Sequence, residues 1–348
     1  MSLAKTDIEN KILGYLKNNP SSTSIQIFEN IAHSLSFATI KRLLQKNITA
    51  KNIEVTGKGK STRYHISFQY QFLNTVNVND YFKQEIDERN ILASFNIHIC
   101  EFLANVQLFS ASEIEKLNGL QAAFLQNAKN LNPAQYQNEL ERLAIDLSWK
   151  SSQIEGNTYS LLETERLLKD KLEAVGKTKE EAIMLLNHKY AIDFVLENTN
   201  YLSNLSVAKL EEIHSLLIKN LAIDSNIRKT RVGITGTNYK PLDNEFQIRE
   251  ALEAMCNLIN IKTNVFEKAL LCLVLLSYIQ AFNDGNKRTA RIVSNAILLS
   301  YNYCPISFRT VDTIEYKKAM LIFYEQNNLQ PFKAIFITQF EFAVNTYF

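Results

Sequence analysis

The sequence predicts a mainly α-helical chain in which a small basic unit, residues 1–66, precedes a larger helical body. Three observations predict it. The 348 residues include only 9 Gly and 5 Pro, too few for collagen-like or turn-rich all-β designs. Apolar residues recur at helical spacing through almost everything after Ile91. Charge is uneven: residues 1–66 carry ten Lys/Arg against four Asp/Glu, while the rest carry 28 against 32. With 46% apolar and 21% charged residues, the chain reads as globular, with about two domains and no wholesale disorder.

The first unit opens with Ile8, Ile12, Leu13 and Leu16 at helical spacing, stopped by Asn18-Asn19-Pro20. Ser24 is the expected N-cap of a second helix that turns Ile25, Ile27, Phe28 and Ile31 inward. Ser36 is the expected cap of a third, carrying Phe37, Ile40, Leu43 and Leu44. Two β-like runs, Asn52–Val55 and Arg63–Ile66, flank the turn TGKGKST. Three helices followed by a basic hairpin is the order of a winged helix-turn-helix domain, in which the third helix enters the major groove and the wing touches phosphates. Lys41, Arg42 and Lys46 on the third helix and Lys58, Lys60 and Arg63 in the wing are the candidate contacts to double-stranded DNA. A dimerising or packing module with a merely solvated hairpin is the competing reading.

Residues 67–90 read as a packed connector with aromatic anchors at Phe68, Tyr70, Phe72, Tyr81 and Phe82. From Ile91 onward nearly everything reads as helix, with segments expected over 90–108, 111–129, 133–155, 160–174, 178–198, 206–220, 245–262, 265–282, 286–302, 312–327 and 331–346. The exception is Arg231–Pro241, RVGITGTNYKP, which alternates around Gly236-Thr237 like a hairpin. The apolar run from Ala269 is shorter than the roughly 20 residues a membrane span needs. The start, MSLAKTDIENK, has no apolar secretory core. Cysteines 100, 256, 272 and 304 form no CxxC pair, so a reduced, cytoplasmic protein without structural zinc is expected.

Chemistry concentrates at Gln280–Arg291, QAFNDGNKRTAR. A buried helix ends, Asn283-Asp284-Gly285-Asn286 turns, and a new helix starts with Lys287, Arg288 and Arg291. Free N–H groups at a helix start, with the helix dipole behind them, make an anion cradle. Arg288 and Arg291 are three apart and share a face, from which guanidinium groups can grip phosphate oxygens. Asp284 at the rim is a hard oxygen donor suited to Mg²⁺ between phosphates. A polyphosphate site is one reading; a capped helix with a solvated basic turn is the other.

These residues resemble the motif of the Fic (filamentation-induced-by-cyclic-AMP) family, HxFx(D/E)GNxRxxR. Phe282, Asp284, Gly285, Asn286, Arg288 and Arg291 match it, and Gln280 stands at the histidine. Upstream, Ser151, Glu155 and Gly156 are similar to the family's inhibitory pattern (S/T)xxxE(G/N), and the 231–241 segment resembles its flap. The resemblance spans roughly residues 80–345. It implies a Fic-type helical bundle with a short β-hairpin flap, and a protein that uses ATP and Mg²⁺ to transfer AMP to a hydroxyl of a target protein. Gly285, Asn286 and Lys287 would hold phosphates, Asp284 the metal, and Arg288 and Arg291 the distal phosphates. Glu155 would pair with Arg291 and deny it to the γ-phosphate. The flap, Gly233, Ile234, Thr235, Gly236, Thr237 and Tyr239, would take the target as an added strand. Family relatives often dimerise, so a homodimer is an expected partner state.

Two positions depart from the pattern. The Gln280 amide has no usable basicity, whereas the family's imidazole is the general base. Transfer is therefore expected to be crippled with nucleotide binding kept; a nucleotide-sensing, DNA-binding regulator without catalysis is the alternative function. Lys287 replaces a common glycine, resembles the Doc-type toxins, and leaves the donor nucleotide and its orientation open. His188 and His214 read as ordinary helix residues, and Trp149, Tyr278 and Phe282 as core.

Overall fold

The computed structural model describes residues 2–31 and 35–348, with side chains from Asp7 onward. The chain divides into two compact units at Thr75/Val76, inside the stretch expected to be a connector.

The first unit holds α1 (Ser2–Asn18), α2 (Ser24–Ile31), α3 (Phe37–Thr49), β1 (Ile53–Thr56), β2 (Arg63–Ile66) and α4 (Phe68–Leu73). The strands pair antiparallel with Ile53 opposite Ile66 and Thr56 opposite Arg63. Ile12, Leu16, Ile27, Ile40, Leu44 and Ile53 form one buried cluster, so each element contributes its apolar stripe to a common core. Ser36 caps α3 by accepting from the Thr39 N–H. Two details differ from expectation at α2. Its cap is Thr23, whose Oγ1 accepts from the Gln26 N–H while Gln26 Oε1 accepts from the Thr23 N–H, and Ile25 points outward at 57% exposure. Of the six basic candidates, Lys41, Arg42, Lys58 and Lys60 are exposed, Arg63 is half-buried, and Lys46 pairs with Glu9 at 2.6 Å.

The second unit contains α5 (Val78–Tyr81), α6 (Ile99–Ala104), α7 (Ala111–Asn130), α8 (Pro133–Ile154), α9 (Leu161–Asp170), α10 (Lys179–Glu197), α11 (Val207–Ile218), α12 (Glu245–Ile261), α13 (Val265–Ile279), α14 (Asn286–Ser300), α15 (Thr313–Gln326) and α16 (Gln330–Tyr347). Every residue of α13 is buried. A helix apolar on all sides has no solvent face to present, and α13 is accordingly the central rod of the bundle. It packs most extensively on α14, and α12, α15 and α16 also cover it. Helix starts follow local chemistry: Ser110/Glu113, Ser160/Glu163 and Thr178/Glu181 form reciprocal capping boxes, and Asn132 caps α8 ahead of Pro133.

Two expectations fail here. The helix placed up to residue 108 shrinks to α6, because distant partners take the preceding backbone: Leu92 N–H donates to Glu325 O, Asn96 N–H to the Tyr278 hydroxyl, and Ala93 O accepts from Lys240 N–H. The hairpin at 231–241 is not a hairpin. Among the described residues the one regular sheet is β1–β2, and 231–241 is an irregular loop with a turn at Thr235-Gly236 and an isolated parallel bridge between Ser94 and Lys240. All four cysteines are free thiols. Among the described residues no helix is long and apolar enough to cross a membrane.

Candidate functional site

The α13–α14 corner carries the motif. The helix α13 stops at Ile279, three residues earlier than periodicity suggests, because Gln280 takes the left-handed conformation (φ +53°). Its side chain then folds back on the corner. Nε2 donates to Ser277 O at 2.6 Å and to the Tyr324 hydroxyl at 3.3 Å, while Oε1 accepts from Asn286 Nδ2 at 3.3 Å. Both ends of the amide are thus engaged.

Asn286 staples the turn. Its Oδ1 accepts from the Phe282 N–H at 2.8 Å, and its Nδ2 donates to Phe282 O at 2.7 Å. Phe282 is fully buried and lies flat on His214, with ring centroids 3.7 Å apart and planes 5° from parallel. The His214 ring nitrogens face Asp284 O at 2.9 Å and Ser225 O at 3.3 Å. Burial lowers the His214 pKa below the ordinary 6.5, although both carbonyls favour the protonated ring. Gly285 has φ +81°, and a Cβ there would stand 3.3 Å from the imidazole. Conformation and space both require glycine. Gly285→Ala is expected to cost about 1–3 kcal/mol, read as a lowered denaturant midpoint; an unchanged midpoint would refute this account of the turn.

Gly285, the N-cap of α14, has no side chain to cap it, and its own N–H donates to Asp284 Oδ1 at 2.6 Å. The first turns of α14 supply the cations. Arg288, 1% exposed, donates from NH2 to Asp284 Oδ2 at 3.0 Å, while its Nε and NH1 are buried with no acceptor. Burial pulls the Arg288 pKa down, and the Asp284 and Glu155 carboxylates oppose it. Arg291, fully buried, crosses to the end of α8. Its Nε donates to Ser151 Oγ at 2.8 Å, and its NH2 to Ser151 O at 3.0 Å and Glu155 Oε1 at 2.8 Å. The second carboxylate oxygen of Glu155 faces Lys287 Nζ at 3.4 Å. Burial pushes the Glu155 pKa up, but Arg291 and Lys287 outweigh it and hold the group below its ordinary 4.5. Gly156 follows with φ +103°, which lets the chain reverse out of α8.

Beside these groups opens a cleft of about 360 Å³, walled by Ile154 and Glu155, by Gly233, Ile234 and Thr235, by Gln280 and Lys287, and by Tyr316, Met320, Leu321 and Tyr324 of α15. Gly236 is the turn residue, with φ +89°. Thr237 Oγ1 accepts from the Tyr239 N–H, and Tyr239 itself is buried, stacked on Tyr278 and Tyr324. Three of the six flap positions therefore line the cleft, and Tyr239 is an internal anchor. Among the described residues no cluster of three or more His, Cys, Asp or Glu can hold a metal unaided.

Residues 204–298, from just before α11 to the last turn of α14, match the Fic/DOC family. The Fic/DOC match is to this stretch, which holds the α13–α14 corner. Over 203 residues it is 25% identical to the protein adenylyltransferase fic-1 of Caenorhabditis elegans, covering 56% of this chain and 39% of that one. Over 172 residues it is 28% identical to the protein adenylyltransferase Fic of Nematostella vectensis, covering 48% and 40%. It spans about two fifths of the length of these relatives. In fold it is similar to a solved C. elegans Fic-1 fragment (TM-score 0.60, 20% identity, 68% of this chain and 72% of that one). It is also similar to a Fic-domain signalling protein of Bacteroides thetaiotaomicron (TM-score 0.58, 17% identity, 67% and 95%).

The corner also rests on residues that the sequence did not single out as functional. His214 lies 70 residues from the loop it supports, and nothing in its local pattern separates it from a core histidine. Arg228, 1% exposed, ties the flap to the motif: its N–H donates to Ala281 O at 3.0 Å, and its guanidinium donates to Gln280 O, Thr230 O and Leu242 O. An arginine spent entirely on backbone carbonyls leaves no sequence signature.

Proposed function

We propose that this chain binds ATP with Mg²⁺ at Asp284–Arg291, is held in check by Glu155, and belongs to the protein adenylyltransferase lineage with its transfer step impaired. The observation that supports the reading best is the pair of buried guanidinium groups at the start of α14. Arg288 has two buried guanidinium nitrogens, Nε and NH1, with no acceptor, and Arg291 is charge-compensated by the Glu155 carboxylate at the end of α8. Buried, underused cationic donors fit an anion, and three phosphates supply acceptors on that scale. Asn286 and Lys287 would add the helix start, while the Asn286 side chain is occupied inside the turn and the Gly285 N–H, now given to Asp284 Oδ1, would join them only when that carboxylate turns to the metal. Asp284, 61% exposed, would be the protein's single carboxylate on a metal that arrives with the phosphates.

Transfer would join the target hydroxyl oxygen to the α-phosphorus, break its bond to the bridging oxygen, release pyrophosphate and leave one proton to be taken up. The residue placed to take it is Gln280, an amide that accepts no proton near neutral pH and whose Nε2 and Oε1 are already bonded. The hydroxyl would come from a protein segment laid along Gly233–Thr237. Titration calorimetry of the full chain with Mg–ATP is expected to show binding that weakens about 10- to 100-fold in Arg288→Gln, the loss of one charge-assisted hydrogen bond. Absence of binding, or indifference to that substitution, would end the proposal.

The first unit supports a second, compatible reading, as a duplex-DNA-binding module of winged-helix type. Its favouring observation is that Lys41 and Arg42 on α3 and Lys58 and Lys60 between the strands are all exposed. Duplex affinity is then expected to fall steeply with salt, and to fall further with a shallower slope in Lys41→Ala/Arg42→Ala. Salt-independent or absent binding counts against it.

A further inference from the structure

We infer that residues 81–94 form a positioning arm for the flap, with Arg89 as its pivot; the inference rests on reading 231–241 as the flap. The arm meets the flap at three separate points. Asp87 Oδ1 accepts from Asn238 Nδ2 at 2.9 Å, Arg89 NH1 donates to Gly236 O at 3.1 Å, and Ala93 O accepts from the Lys240 N–H at 3.2 Å. The last contact sits beside the parallel bridge from Ser94 to Lys240.

Arg89 does more than touch the flap. It is 9% exposed on its side chain and lies 3.4 Å from Glu325 of α15, whose side chain is fully buried. Glu325 also accepts from the Tyr81 hydroxyl, and its carbonyl accepts from the Leu92 N–H at 2.7 Å. The guanidinium carbon lies 4.8 Å from the centre of the Phe82 ring, and Nε donates to Gln84 O. One planar fork therefore joins three pieces: the arm, the turn of the flap, and the helix whose Tyr316, Met320, Leu321 and Tyr324 wall the cleft. Among the described residues the flap has no regular sheet partner, so Gly233–Thr235 is fixed at the cleft by this outer tether, by the buried Tyr239 within, and by Arg228 at the flap's two ends. Arg89 is a positioning residue: it sets where the flap stands without lining the cleft.

Lysine separates positioning from simple structural support. At position 89 it keeps a charge that can reach Glu325 and Gly236 O, which Arg89 meets with the one nitrogen NH1, but it lacks the second donor, Nε to Gln84 O, and the planar stacking on Phe82 that hold that nitrogen in place. Hydrogen exchange of the full chain, without nucleotide or target, is expected to show the Lys240 amide and the 233–240 segment exchanging about tenfold faster in Arg89→Lys. Exchange in α13 and α14 and the melting temperature should stay near wild type. Arg89→Ala should show the same flap acceleration with a lowered melting temperature, and Asp87→Ala a smaller acceleration. A structural role alone predicts that lysine restores flap protection along with stability. Wild-type flap exchange in Arg89→Lys overturns the inference, whether or not Arg89→Ala folds. Because no nucleotide enters the measurement, its failure is separate from failure of the ATP-binding proposal.

Discussion

Replacing Glu155 by alanine is expected to raise the affinity for Mg–ATP by roughly 10- to 100-fold. In the native chain an incoming phosphate has to displace a carboxylate that Arg291 holds at 2.8 Å and Lys287 faces at 3.4 Å. A charge-assisted hydrogen bond contributes about 1.5–3 kcal/mol, and each 1.4 kcal/mol is about a factor of ten in affinity. The same substitution is expected to lower stability without ligand. Arg291 is fully buried, and removing its carboxylate leaves its charge with only the Ser151 oxygens and the Tyr316 ring around it. Breaking a buried ion pair costs about 3–5 kcal/mol, less here because Glu155 retains some exposure. ATP should then raise the melting temperature of Glu155→Ala more than that of wild type.

The pH dependence follows from the direction of the shift. The folded-state pKa of Glu155 is held below its ordinary 4.5, so the pair contributes fully above that value and is lost as pH falls through the depressed one. The stability gap between wild type and Glu155→Ala should be flat from neutral pH to about 5 and close only in stronger acid. Equal ATP affinity in the two proteins, or a gap that closes near pH 6, would contradict this role for Glu155.

Most of the helices could be read from the sequence because their signals are local. Ser110/Glu113, Ser160/Glu163 and Thr178/Glu181 mark their own starts, and the unbroken apolar run of α13 marks the centre of the bundle. The motif was legible for the same reason: Gly285 has to be glycine, and the arginines that follow lie on one helix. What the sequence hid is non-local. Residues 92–96 lie in the stretch read as helix but give their backbone groups to α15, α13 and the flap, so tertiary bonds override propensity. Arg231–Pro241 alternates like a hairpin, yet its bonds go to the arm rather than across a turn, and Arg228 holds the backbone on either side of it at Thr230 and Leu242. Side-chain direction was hidden as well: Asn286 turns inward to Phe282, Tyr239 is an anchor, and Arg228 and His214 support the corner from elements far away in the chain.

The sharpest test of position 280 is Gln280→His in the Glu155→Ala background. The left-handed conformation there is one that histidine adopts more readily than most residues, so the corner should survive the exchange. The cost is the amide network to Ser277, Tyr324 and Asn286, about 1 kcal/mol for each hydrogen bond the imidazole does not replace. The gain is a group whose ordinary pKa near 6.5 lets it take the hydroxyl proton, a step that contributes about 10²–10⁴-fold in general-base catalysis. Incubation with α-labelled ATP is therefore expected to label protein about 10²–10⁴ times faster in the double variant than in Glu155→Ala alone, with ATP affinity nearly equal in the two. Equal labelling rates would mean that Gln280 does not limit transfer. Tight ATP binding with no labelling in the double variant would mean that the corner, with Lys287 in place of glycine, holds the nucleotide in a pose that the introduced imidazole cannot serve, and would favour nucleotide sensing over an interrupted transferase.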